Sequence, residues 1–228
     1  MKDIIDIQGY NDKNITSVPY SAAYNMDCVE FMKQLPDKYF SLCIADPPYG
    51  INISANPFRG KQTKKSWDGN VPDDSFFLEL FRVSRNQMIW GGNYFGLPPN
   101  KHFLIWDKKQ PFDFSSSMCE YCWSSLDTPA KLFSYNVGNE LGKIHPTQKP
   151  VALYAWMLKN YAAVGEKVFD PMMGSQSSRI AAYKLGIDYV GCEIDADYYA
   201  SGCARFEREC NGVYTDAHGH VFVQQQLF

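Results

Sequence analysis

Short apolar runs alternate along this chain with stretches in which apolar positions recur every three to four residues. That alternation predicts strands and helices assembled as an α/β sheet with helices on its faces. Residues 40–45, FSLCIA, read as a buried strand ending at Asp46. Residues 72–84 predict a helix, with Pro72 at an early position, acids in the first turn, and Phe76, Phe77, Leu80 and Phe81 on one face. Two further strands are expected at 88–90 and 102–106, with a Gly91-Gly92 turn and a Pro98-Pro99 break between them. After Pro150 a helix runs to about Ala163, carrying Val151, Tyr154, Met157, Leu158 and Tyr161 at helical spacing. A strand at 167–169, a helix from about 177 to 185 closed by Gly186, and a strand at 189–192 then form a right-handed crossover unit of a nucleotide-binding sheet.

With 228 residues, 45% hydrophobic and 21% charged, the chain is expected to fold as one domain over residues 1–228. No run approaches the length of a membrane span, and the opening MKDIIDIQGYND has acids where a signal peptide needs an apolar stretch, so the expected location is cytoplasmic. Seven scattered cysteines suit reduced thiols, and the lone Cys119-x-x-Cys122 lacks a second ligand pair, so no metal is expected. A net charge of −3 does not itself suggest nucleic acid. The distribution changes that picture, because residues 51–66 carry Arg59, Lys61, Lys64 and Lys65 and no acid. A basic loop of this kind is a candidate phosphate contact, with a solvated surface loop as the other reading.

The strongest chemical signal is Asp46-Pro47-Pro48-Tyr49, directly after a predicted strand. The exocyclic amine of adenine or cytosine is a poor nucleophile because its lone pair is delocalised into the ring. Activating it requires acceptors for its hydrogens. Asp46 supplies a carboxylate, the stiff proline pair can fix the Pro47 carbonyl as a second acceptor, and Tyr49 offers a flat face for an extruded base. A rigid turn bearing a solvated aspartate is the plain alternative. A second signal, Asp170-Pro171-Met172-Met173-Gly174-Ser175, again follows a strand and precedes a helix, where backbone N–H groups can face a ligand. Glu193 ends the next strand, where an acid can take two ribose hydroxyls; without a phosphate-gripping triple glycine, an adenosyl group suits this site better than a dinucleotide.

Three blocks in this order, from Asp27 through Asp46-Pro47-Pro48-Tyr49, then His145-Pro146-Thr147-Gln148-Lys149-Pro150, then Asp170 through Glu193, resemble the permuted β-class DNA amino-methyltransferases, especially the small phage-type adenine enzymes. The stretch MIWGGNYF at 88–95 is also similar to that group. The resemblance implies a Rossmann-like S-adenosylmethionine-dependent methyltransferase fold with a seven-stranded, mostly parallel sheet. Its motif order is circularly permuted, with a catalytic half at about 20–135, a cofactor half at about 145–210 and a short tail at 211–228. It implies cofactor roles for Asp27, Cys28, His145, Thr147, Lys149, Asp170, Met172, Gly174, Ser175, Glu193 and Ile194, and methylation of adenine N6 in DNA with the base flipped out. In the cytosine-N4 enzymes of the family serine usually replaces Asp46, so adenine is favoured over the N4-cytosine alternative. Restriction-modification or phage biology and a homodimer are further expectations of the same resemblance.

Two departures from the family pattern stand out. Its loop usually reads Gly-Ser-Gly-Thr-Thr, whereas here Gln176 follows Gly174-Ser175, which would cost cofactor affinity if the second glycine serves a positive φ or a close approach. A weakened DNA-binding homologue is the reading that departure admits. Residues 132–144 leave room for little more than a loop where larger relatives place target recognition, which shifts that duty to residues 52–69, to 107–118 with Lys108 and Lys109, or to a partner. Finally, Gln224, Leu227 and Phe228 have the form of the short peptides with which bacterial replication proteins bind the sliding clamp, with Phe228 folded back onto the chain's own core as the plain alternative.

Overall fold

The computed structural model describes residues 19–51, 69–111, 117–136, 138, 142–215 and 220–223. In chain order the elements are β1 (Ser21–Tyr24), α1 (Cys28–Met32), β2 (Phe40–Ala45), α2 (Asp74–Val83), β3 (Ser84–Trp90), β4 (Phe103–Asp107), β5 (Cys119–Ser124) and β6 (Lys131–Ser134). They continue as α3 (Val151–Tyr161), β7 (Lys167–Asp170), α4 (Ser177–Lys184), β8 (Asp188–Cys192), α5 (Ala196–Cys210), β9 (Val213–Thr215) and β10 (Val221–Val223). The main sheet has the order β1-β8-β7-β2-β3-β5-β4-β6, and β9 and β10 form a separate antiparallel pair. β5 runs antiparallel between β3 and β4; every other pairing in the main sheet is parallel.

Among the described residues the main sheet therefore has eight strands and not the seven implied by the resemblance. Its edge strand β6 pairs with β4 from Leu104↔Lys131 to Asp107↔Ser134. Lys131, Leu132 and Ser134 are exposed, so KLFS carries no apolar run to announce a strand. β3 also begins earlier than expected, directly after α2. Its polar start is accommodated because the buried Gln87 amide donates to the Ser84 carbonyl and hydroxyl at 2.9 and 3.0 Å, and the Gln87 N–H donates to the Ser125 hydroxyl at 2.8 Å.

Period-two alternation along β2 feeds two cores. Leu42 and Ile44 pack with Met88, Trp90, Leu153, Met157 and Leu158, while Cys43 and Ala45 pack with Phe31, Met32, Phe76, Leu80 and Ile89. Burying each large side chain contributes roughly 1.5–3 kcal/mol. Helix entry is set by aspartates: Asp27, Asp73 and Asp195 accept from two backbone N–H groups each at the starts of α1, α2 and α5. Pro72 thus lies just outside α2, which Asp73 caps. Among the described residues no helix is long and apolar enough to cross a membrane.

Chain direction places the site. From β7 the connection through α4 leads to β8 on one side, and from β2 the connection through α2 leads to β3 on the other. The carboxyl ends of β7 and β2 therefore flank a switch in strand order, where open α/β sheets form their ligand crevice.

Candidate active site

A cavity of about 260 Å³ lies at this point. Met26, Asp27 and Cys28 enter it from the β1–α1 turn, Asp46 and Pro48 from the end of β2, and His145, Thr147, Gln148 and Lys149 from the segment before α3. Met172, Met173, Ser175 and Ser177 come from the turn after β7, Glu193, Ile194 and Asp195 from the end of β8, and Tyr154 and Tyr198 from α3 and α5. Segments more than a hundred residues apart in sequence thus meet on one surface.

Glu193, nearly buried, is held by two backbone donors: the Gly174 N–H reaches Oε2 at 2.9 Å and the Asp195 N–H reaches Oε1 at 2.8 Å. Burial raises its pKa, opposed by these N–H groups. Gly174 has φ +46, and a Cβ there would only make ordinary contact with the His145 ring, so its backbone angle rather than space calls for glycine. Asp170 and Gly174 stand behind the cavity wall. Asp170 accepts from the Met172 N–H at 3.0 Å and the Ser178 hydroxyl at 2.5 Å, and burial pushes its pKa up to about 7 against those bonds. Arg205, from α5, braces the same turn by donating to the Ser175 carbonyl and the Ser177 hydroxyl at 3.1 and 2.8 Å.

Gln176 occupies the left-handed region at φ +59, the conformation the family's glycine suggests. Its side chain, fully buried, accepts from Arg179 at 2.9 Å and donates toward the Tyr199 carbonyl and Cys203 Sγ. A Cβ on Gly202 would fall 2.7 Å from Gln176 Cγ, so the bare backbone of α5 makes room for it. The amide accordingly binds α4 and α5, and Gln176 is not among the residues lining the cavity.

At the other end of the cavity Asp46 Oδ1 accepts from the Tyr49 hydroxyl at 2.8 Å and pairs with Lys149 Nζ at 2.5 Å. Lys149 also pairs with Glu120 Oε2 at 3.1 Å, and Glu120 Oε1 with Lys108 Nζ at 2.6 Å. The Lys149 ammonium lies 5.3 Å from the Trp90 ring centre. Burial raises the pKa of Asp46, with the Lys149 ammonium opposing it. Burial likewise acts to raise Glu120, but Lys149 and Lys108 outweigh it and bring that carboxyl down to about 2. The Tyr49 ring stacks on Tyr94 with centroids 5.0 Å apart, and a Cβ on Gly91 would fall 2.2 Å from the same ring.

Asp27, Cys28, His145, Thr147, Lys149, Met172, Ser175, Glu193 and Ile194 are thus gathered on one cavity with Asp46 and Pro48. Lys108 is drawn inside by Glu120 and is only 7% exposed, which takes its ammonium away from the surface where a phosphate contact was expected. Lys109 is exposed beside Asp107, at 2.9 Å. Arg59, Lys61, Lys64 and Lys65, and Gln224, Leu227 and Phe228, lie outside the described residues. Cys119 is exposed and Cys122 buried, three residues apart on β5 and hence on opposite faces. Tyr94 lies within the MIWGGNYF stretch, but no role is read for it there; Glu120, Arg205 and Tyr198 belong to no local motif and reach the site through strand pairing and helix packing.

The family model N6_N4_Mtase, DNA methylase, matches residues 59–202, well over half of the chain. The chain belongs to this DNA methylase family. The methylase is 23% identical over 229 residues to the type II methyltransferase M2.MboI of Moraxella bovis, covering 77% of this chain and 83% of that one. Its fold is similar to that of TTHA0409, a putative DNA modification methylase from Thermus thermophilus complexed with S-adenosyl-L-methionine, at TM-score 0.54 and 17% identity, covering 84% and 95% of the two chains. It is similar also to PvuII DNA methyltransferase, described as cytosine-N4-specific, at TM-score 0.58 and 14% identity, covering 86% and 94%.

Proposed function

We propose that this DNA methylase transfers a methyl group from S-adenosylmethionine to the exocyclic N6 of adenine in DNA. The observation that carries the reading is the pairing, on one cavity at the sheet's switch point, of the Asp46 carboxylate with the Glu193 carboxylate. Glu193, fixed by two backbone N–H groups, suits a pair of ribose hydroxyls. The apolar Met172 and Ile194, with Tyr198, suit a purine, and Thr147 or Lys149 suits a carboxylate. When bound, S-adenosylmethionine supplies a methyl carbon on a sulfonium sulfur, open to direct attack by an amine.

Asp46 accepts one N–H of the target amine, which draws the lone pair out of the ring, and takes up the surplus proton once the new N–C bond has formed. A carboxylate whose pKa is raised by burial is a stronger acceptor for that proton. Tyr49 holds Asp46 through its hydroxyl and offers its ring to the extruded base, the ring that Tyr94 covers here. No cysteine is required, since the transfer is a direct displacement. Aspartate rather than serine at position 46 supports adenine over the N4-cytosine reading. The basic stretch with Arg59, Lys61, Lys64 and Lys65, together with Lys109, is read as the phosphate contact, and Gln224, Leu227 and Phe228 as a tether to a sliding clamp.

The test is to incubate the protein with methyl-labelled S-adenosylmethionine and mixed-sequence DNA, digest to nucleosides and identify the labelled one. N6-methyladenine is expected. N4-methylcytosine would replace this reading by the second, and no labelled nucleoside would overturn both.

A further inference from the structure

Four charged side chains run inward in a line: Lys108, Glu120, Lys149 and Asp46, with contacts of 2.6, 3.1 and 2.5 Å. Charges alternate along it and cancel. Burying such a set is costly unless each charge keeps its neighbour. Lys149 is 4% exposed and touches two carboxylates, of which Asp46 alone lies on the cavity. The Lys149 contact and the Tyr49 hydroxyl both fall on Oδ1 of Asp46.

We infer that Glu120 is a positioning residue for methyl transfer: by sharing the Lys149 ammonium, whose shorter contact is to Asp46, it lessens the neutralisation of Asp46 and so keeps an anionic oxygen there for the target amine. This rests on the reading that Asp46 accepts from that amine. An ammonium paired with one carboxylate alone neutralises it, weakens it as an acceptor and opposes the positive charge that develops on the amine nitrogen. An ammonium also drawn by a second carboxylate still fixes the rotamer of Asp46 while neutralising it less. Glu120 can serve as the second anchor because Lys108 holds it from the far side and the pairing of β5 with β4, Trp106↔Glu120, holds its backbone.

The pH dependence tests this separately from stability. Asp46 is faced by Tyr49 and Lys149 and, at longer range, by Glu120 and Cys122 of β5, Tyr154 of α3 and Asp170 of β7. The negative charge of Glu120 raises the proton affinity of Asp46. Replacing it with a neutral group lowers that affinity, so Asp46 stays ionised to lower pH and the acid limb of the kcat profile moves down.

The experiment compares the full-length wild type with Glu120→Gln, Glu120→Asp and the charge-balanced Lys108→Gln/Glu120→Gln, reading melting temperature, S-adenosylmethionine affinity by calorimetry, and kcat against pH on mixed-sequence DNA. For Glu120→Gln the plateau kcat is expected to fall about ten- to a hundredfold, the range a small misplacement of a reacting group produces. Cofactor affinity is expected to stay within about threefold and the acid limb to shift down; Glu120→Asp should recover part of kcat and restore the limb. If Glu120→Gln does not fold, the double variant, in which no ammonium is left without a carboxylate, is held to the same expectation. A folded variant with unchanged kcat and acid limb overturns the inference, and so does a fall in kcat matched by lost cofactor affinity with the limb in place. Asp46→Ala run alongside separates the two readings. Methyl transfer by that variant would end the role of Asp46, whereas its inactivity beside a normal Glu120→Gln would end only the role of Glu120.

Discussion

Asp46 and Gln176 show what a single position contributes. On the proposed reading Asp46 acts on the nucleophile, so Asp46→Ala is expected to lower kcat by at least about a hundredfold while S-adenosylmethionine affinity measured by calorimetry changes little; unchanged turnover would remove the assignment. Gln176 poses the opposite question, because it stands where the family usually has glycine. A non-glycine residue in the left-handed region costs about 1–2 kcal/mol, yet the Gln176 amide is bonded to Arg179 and to α5 and does not line the cavity. Gln176→Gly relieves the backbone but leaves Arg179 short of a buried acceptor and opens a void against Gly202, losses of about 1–3 kcal/mol. The expected outcome is therefore a lower melting temperature with cofactor affinity within about twofold. A clear gain in affinity would instead mean that Gln176 does hinder the cofactor.

Elements were legible in the sequence where burial was two-sided or periodic. FSLCIA is β2 to the residue because both its faces are buried, and α2 stands out because Phe76 and Leu80 share a face. Elements that make their contacts at an edge were hidden. β6 is exposed, β5 begins with the exposed Cys119 and the half-buried Glu120, and the polar start of β3 is offset by side-chain hydrogen bonds that no spacing reveals. The same limit applies to charge. Lys108 and Lys109 look alike in the sequence, but the partner that buries Lys108 lies across the sheet on β5. Residues 51–66, which contain no acid, remain the strongest candidate for a phosphate contact on sequence grounds. Replacing Lys61, Lys64 and Lys65 by alanine is expected to weaken DNA binding regardless of sequence and to flatten the slope of log affinity against log salt by up to about three. Titrations at several salt concentrations with an unchanged slope would return the stretch to an ordinary solvated loop.

At the scale of the molecule, the tetrapeptide after β2 and the turn after β7 were readable as ligand-binding signals because each follows a strand, but only the sheet order brings them together. β2 and β7 are neighbours, paired through Leu42↔Val168 and Cys43↔Phe169, although more than a hundred residues separate them. A cofactor in the cavity between them would touch residues from Met26 to Asp46 and from His145 to Tyr198, joining distant parts of one sheet. Such a ligand binds the folded chain and not the unfolded one, so at a hundred times its Kd it adds about 2.7 kcal/mol of stability. For a chain of this size that corresponds to a rise in melting temperature of roughly 5–11 °C. Glu193→Gln keeps an acceptor for only one of the Gly174 and Asp195 N–H groups and turns an amide NH2 toward the other, so the ligand-free melting temperature should fall and the rise with S-adenosylmethionine should shrink as well. Because the two bonds fall on separate oxygens of Glu193, the rise on adding ligand, taken from the variant's own ligand-free melting temperature, is the quantity that reports cofactor binding. A full rise in this variant at the same ligand concentration would show that the adenosyl group is held elsewhere on the carboxyl edge of the sheet.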